Sequence, residues 1–162
     1  MEPAATLRVS TPDDQDFLFV LYASTREEEL RLWGWDEHQQ RAFLEMQFRG
    51  QNQHYGLCYP QADSNIILFN DQPVGRLLID RSRQEILLVD IALLPEYQNR
   101  HIGTTLIQSL LREAAGAQKN VELHVLRGSA AVRLYERLGF TNVADDGVYL
   151  NMKKTYGEDR RN

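Results

Sequence analysis

The stretch that decides the fold is "LLPEYQNRHIGTTLIQSLL", residues 93–111. It joins the end of a leucine-rich, strand-like run to a helix-like run through a short polar turn. From Ile102 to Ala115 the apolar positions fall at 102, 106, 110 and 114 and at 103, 107 and 111, two adjacent rows of one helix face. Gly116 is the expected stop. "EILLVDIALL" (85–94) before the helix and "VELHV" (121–125) after it both read as strands. A strand, a crossover helix and a second strand imply a parallel pair.

Upstream, "NIILFN" (65–70) and "PVGRLLIDR" (73–81) are short apolar runs, separated from each other by Asp71-Gln72 and from the 85–94 run by Ser82-Arg83-Gln84. They read as an antiparallel meander with tight turns. "TLRVS" (6–10) alternates like a first strand, and Thr11 as cap with Pro12 at the first helical position opens a first helix. "TREEELRLWGW" (25–35) fits helix or loop, whereas "DEHQQRAFLEMQFRGQ" (36–51) carries a capping box of Asp36 and Gln39. Downstream, "SAAVRLYERLGF" (129–140) is a short helix closed by Gly139, and "GVYLNMKK" (147–154) is a last strand, with 140–143 as a further strand in one alternative. The order βααβββαβαβ implies an α/β (α+β) fold: a mostly antiparallel mixed sheet with a central parallel pair and about four flanking helices. We expect one domain over 1–155 and a disordered tail over 156–162.

The chain has 162 residues, 43% of them apolar and 25% charged, a balance that supports a buried core. Its net charge of −5, from 18 basic and 23 acidic residues with no basic cluster, speaks against a nucleic-acid partner. A helix-turn-helix reading of 102–117 conflicts with that charge and with the strand that follows. A single cysteine, Cys58, no signal-like N-terminus and no apolar run near 18 residues lead us to expect a cytoplasmic protein that does not enter a membrane. Histidines 38, 54, 101 and 124 do not combine with Cys58 into a metal-ligand spacing, so no metal is expected.

A helix that starts directly after a turn exposes unpaired backbone N–H groups, which favour anions such as a pyrophosphate. "QNRHIGT" is placed to do this, with Gly103 allowing close approach and Arg100 and Thr104 adding donors. A polar turn that merely starts a helix is the open alternative. Tyr135 stands in a short amphipathic helix beside Ala131, Leu134 and Leu138, as either a core residue or a proton donor.

Together these segments resemble the GNAT superfamily of acetyl-CoA-dependent acyltransferases. The family's turn, Gln/Arg-x-x-Gly-x-Gly/Ala, is matched at Gln98, Ile102 and Gly103, while His101 replaces the first glycine and Thr104 follows; the late "LYERLGF" stands intact at 134–140. The resemblance implies a pantetheine arm held by backbone at Ile91, Ala92 and Leu93, where the parallel strands splay to hold CoA. It places the pyrophosphate on amides of Asn99, Arg100, His101, Ile102, Gly103 and Thr104, counts Gln98 with the cofactor-binding residues, and puts Ser129, a further cofactor contact, where the family often has an asparagine.

In the implied reaction an amine attacks the thioester of acetyl-CoA directly, in a ternary complex, and Tyr135 is the general acid. The positions most like family bases, Leu87 and Val89, are apolar; Glu85 shares their face and is the candidate base, and Asp90 points the other way, with a structural role open for both acids. Tyr22, Arg26, Trp33, Trp35 and Tyr55 are implied acceptor lining, and Glu28 and Glu29 either read the acceptor's charge or form an exposed acidic helix end. The expected activity is N-acetylation of a primary amine on a small molecule or protein. A non-catalytic acyl-CoA sensor is the alternative, and a homodimer is left open.

Overall fold

The computed structural model describes residues 4–156. Seven strands and four helices follow in the order β1 (Thr6–Val9), α1 (Gln15–Leu32), α2 (Glu37–Cys58), β2 (Asp63–Phe69), β3 (Gln72–Asp80), β4 (Ile86–Leu93), α3 (Ile102–Ala117), β5 (Val121–Leu126), α4 (Ala131–Arg137), β6 (Thr141–Asp145) and β7 (Tyr149–Lys154). The strands are hydrogen-bonded in the order β1-β2-β3-β4-β5-β7-β6. β4 and β5 are parallel, whereas β1 with β2, β5 with β7 and β6 with β7 are antiparallel. The expected mixed sheet with one parallel pair and four helices is what forms.

Local chemistry explains most of the boundaries. The Thr11 N–H donates to Asp14 Oδ2 at 2.8 Å, and Asp14 in turn takes two bonds from the Arg8 guanidinium at 2.7 and 2.9 Å. α1 runs on through the ambiguous 25–35 segment to Leu32, because Leu30 becomes a core residue only 1% exposed. The capping box forms as expected: Gln39 N–H donates to Asp36 Oδ1 at 2.8 Å, and Asp36 N–H to Gln39 Oε1 at 3.1 Å. α2 continues beyond Gln51 to Cys58, and Tyr55 in its last turns lies under the Arg76 guanidinium at 5.3 Å, a tertiary contact that periodicity does not reveal.

Two boundaries correct the sequence reading. The β2–β3 turn sits at Asn70-Asp71 (φ 51° and 63°), not at Asp71-Gln72, because a two-residue hairpin of this hand needs two left-handed residues in succession. α3 passes through Gly116 and stops at Gln118, which takes the left-handed φ of 55° itself and donates its N–H to the Ala114 and Ala115 carbonyls. The further strand proposed at 140–143 is β6.

The chain folds into two compact units, residues 1–77 with 92–98 and residues 78–91 with 99–162, and β3 and β4 run through both. The core of the first is Leu18, Leu21, Phe48 and Ile66, with Phe19 edge-on to Phe48 at 5.6 Å. In the second, Ile107, Val121, Leu123, Phe140 and Met152 are all at most 2% exposed. Each such side chain contributes about 1.5–3 kcal/mol on leaving water. Of the tail expected to be disordered, 157–162 lie outside the described residues, while the Tyr156 N–H donates to Asn120 Oδ1 at 2.9 Å. Among the described residues no helix is long and apolar enough to cross a membrane.

Candidate active site

The parallel strands part company early. Their register runs from Ile86↔Val121 through Leu87↔Glu122 to Leu88↔Leu123, yet β4 continues to Leu93 and β5 to Leu126. β5 meanwhile stays paired with β7 along its whole length. Backbone polar groups of β4 beyond Leu88 therefore lose β5 as a partner.

At the end of β4 the Leu94 N–H donates to the Val74 carbonyl at 2.8 Å, and the Leu93 carbonyl takes a 3.0 Å bond from Gln98 Nε2. A Cβ on Gly75 would collide with the Ala92 carbonyl oxygen, so this approach of β3 and β4 requires glycine. Sequence reasoning missed Gly75 as a site residue. Its one signal was a glycine inside the strand run "PVGRLL".

The turn before α3 has two left-handed residues, Asn99 (φ 60°) and His101 (φ 65°), either side of Arg100. Such alternation gathers successive N–H groups on one side, the geometry of an anion nest. The first amide satisfied within α3 is that of Thr105, which donates to the His101 carbonyl at 3.0 Å, so those of Ile102, Gly103 and Thr104 have no acceptor in the helix. His101 makes no capping bond with its side chain. The amides and the Thr104 hydroxyl therefore fit a diphosphate on chemistry alone.

Tyr135 is 8% exposed and packs edge-on to Phe140 at 5.8 Å. Burial, and after it the charge of Asp90, pushes the phenol above its ordinary value, so the hydroxyl keeps its proton. That hydroxyl has no hydrogen-bond partner among the described residues. The ring is buried but the hydroxyl oxygen is reached by solvent, so it is left to donate to a bound group. Ser129 Oγ accepts the Ala131 N–H at 3.2 Å, which leaves its own proton to donate.

Glu85 has surroundings that favour the structural alternative over the base. It precedes β4, at the opposite end of the strand from Ile91, roughly 20 Å away at strand rise. The Lys153 ammonium bonds its carboxylate at 2.9 Å and holds it below the usual carboxylate range. A low pKa and a salt-bridged carboxylate suit structure, not proton abstraction, and the base role is not carried further.

Of the expected acceptor lining, Tyr22, Arg26 and Glu29 come together: Arg26 donates to the Tyr22 hydroxyl at 2.9 Å and to Glu29 at 2.6 Å, and lies over the Phe43 ring at 5.9 Å. Trp33 and Trp35 form with Phe43 a three-ring cluster at centroid distances of 5.1 to 5.5 Å. Glu28 is exposed, and Tyr55 lies under Arg76, a 7% exposed residue of β3 that the sequence did not single out. Among the described residues no three His, Cys, Asp or Glu side chains are grouped to hold a metal ion.

The site thus combines a parallel strand pair that opens after three residues, a crossover helix that starts in a left-handed turn, and a buried tyrosine on the next helix. Residues 18–140 match the acetyltransferase (GNAT) family, and the chain belongs to it. Solved structures share the fold. The PaiA N-acetyltransferase of Thermoplasma acidophilum, in complex with coenzyme A, has a TM-score of 0.70 at 16% identity, over 94% of this chain and 99% of that one. An acetyltransferase of Thermus thermophilus has a TM-score of 0.65 at 19% identity, over 94% and 97%. Ard1 of Thermoplasma volcanium has 0.62 at 16%, over 94% and 97%. No curated protein sequence matches the chain.

Proposed function

We propose that this acetyltransferase moves the acetyl group of acetyl-CoA to a primary amine of a small molecule or protein, by direct attack in a ternary complex. The observation that carries this reading is Tyr135: a buried phenol, kept protonated, whose hydroxyl has no partner among the described residues. The neutral amine nitrogen forms a bond to the thioester carbonyl carbon and gives up a proton, the carbon–sulfur bond breaks, and the departing sulfur takes the Tyr135 proton, which exchange with water restores. Backbone of Ile91, Ala92 and Leu93 is assigned to the pantetheine, and the amides of 99–104, with the Ser129 hydroxyl, to the phosphates. Arg26, Tyr22 and the Trp33–Trp35 cluster are assigned to the acceptor. We read 1–155 as one functional domain, since the family match runs through both compact units, and the protein as cytoplasmic.

Calorimetry with acetyl-CoA is the first test, and absence of binding at tens of micromolar sinks the reading. Thiol release is then followed over ethanolamine, tyramine, cadaverine, glycyl-lysine amide and hydroxylamine. Binding without turnover of any of these would point instead to an acyl-CoA sensor.

A further inference from the structure

Glu85 leaves the amine without a base, and the register of the sheet supplies another. Residues paired across the strands share a face, so Leu88 and Leu123 lie on one side, and Leu87 and Glu122 on the other. The first side continues to Asp90, whose charge reaches Tyr135. The second side continues from Glu122 to His124, which is opposite Asn151 on β7. His124 is the first residue of β5 beyond its last pair with β4. It therefore stands where the strands open, on the face away from the tyrosine.

The imidazole is accessible and has a carboxylate beside it. His124 Nε2 is 3.5 Å from Glu122 Oε1, and Asn151 Nδ2 fixes that same oxygen at 2.8 Å. The His124 side chain is 49% exposed and its Nδ1 has no partner among the described residues. We propose that His124, oriented by Glu122, is the base that takes the proton of the acceptor amine. This rests on the acetyl-transfer reading above. Nδ1 takes a proton from the bound ammonium ion, which frees the nitrogen lone pair to attack the thioester carbonyl carbon; the carbon–sulfur electron pair goes to sulfur, which is protonated by Tyr135 from the other face, and the second nitrogen proton leaves to water. Proton exchange with water resets both side chains, and the sum is thioester plus ammonium to amide, thiol and a proton. With the acid and the base on opposite faces, neither short-circuits the other.

The test compares two nucleophiles. Hydroxylamine is largely neutral at about pH 7, whereas an alkylamine is an ammonium ion that must first lose a proton. For His124→Gln we expect about a 100-fold loss of kcat/KM with whichever of ethanolamine, tyramine, cadaverine and glycyl-lysine amide the wild-type protein acetylates fastest. Hydroxylamine turnover and acetyl-CoA affinity should hold, and the alkylamine deficit should shrink as pH rises. Glu122→Gln should lose less. Asp146 and the Lys153–Glu85 pair are the other charges near this face, so Asp146→Asn serves as a control for a purely electrostatic effect. An unchanged rate and pH profile in His124→Gln overturns the proposal, as does an equal loss with both nucleophiles. A wild-type protein that turns over no amine removes the acetyl-transfer reading itself, a separate outcome.

Discussion

Gly75 and Ala92 meet with no room for a side chain: a Cβ on Gly75 would run into the Ala92 carbonyl oxygen and crowd Leu93 Cδ2 and Ile67 Cδ1. Two strands are thus brought together at the place where β4 is assigned to the pantetheine. The backbone oxygen cannot give way as a flexible side chain would. We therefore expect Gly75→Ala to cost about 1–3 kcal/mol and to weaken acetyl-CoA binding, with Gly75→Val worse. Thermal melting and calorimetry check it, and an unchanged Tm with unchanged affinity would show that the strands separate freely.

Tyr135→Phe separates chemistry from stability. No protein acceptor loses a bond, so Tm should stay level, while turnover falls about 100-fold and acetyl-CoA affinity holds. The phenol's pKa is raised above its ordinary 10.0 by burial and then by Asp90, so the unfolded chain ionises first. Its contribution to stability is full below pH 10.0 and is lost as pH rises through the folded value, a loss that Tyr135→Phe should abolish. Retention of full turnover in this variant would take Tyr135 out of the mechanism.

At His101 the side chain and the backbone make opposite demands. Its φ of 65° strains a non-glycine residue by roughly 1 kcal/mol, and glycine's greater entropy loss on folding is of similar size. His101→Gly should therefore leave Tm little changed and acetyl-CoA affinity equal or tighter, whereas His101→Val should lower both. A clear loss of affinity in His101→Gly would show that the imidazole itself touches phosphate.

The Arg8–Asp14 pair should give way only in strong acid. The Arg8 guanidinium holds the buried Asp14 carboxylate at about 2, against an ordinary 3.8. Its stabilisation is present above pH 3.8 and is lost as pH falls through about 2. Asp14→Asn should flatten the stability–pH curve in that window, as read by denaturant melts at stepped pH; an unaltered slope would assign acid lability elsewhere.

Much of this was legible in local chemistry. The Asp36–Gln39 capping box, the α3 stripe from Ile102 to Ala114, and the left-handed closure at Gly139 each involve residues a few positions apart, whose energies act within one turn. Where the local signal was neutral, tertiary packing won: Leu30 carried α1 through an ambiguous segment. At the end of α3, Gln118 took a stop that Gly116 was expected to supply. For Glu85, alternation and position along the strand left a base and a structural acid both open; the lysine of β7 that neutralises it lies 68 positions away in sequence and is not legible locally.

By itself, then, the amino-acid sequence determined the order of the elements, the parallel pair around α3, and the two segments at 98–104 and 134–140 that mark the family. Only the tertiary structure decided that β4 and β5 part after Leu88, that the Tyr135 hydroxyl has no partner among the described residues, and that His124 stands with Glu122 and Asn151 on the other face. The physical reason is range. Caps, turns and periodicity are contacts between chain neighbours, whereas an opened strand pair and a side chain's partners are set by residues dozens of positions away, whose approach no local pattern records.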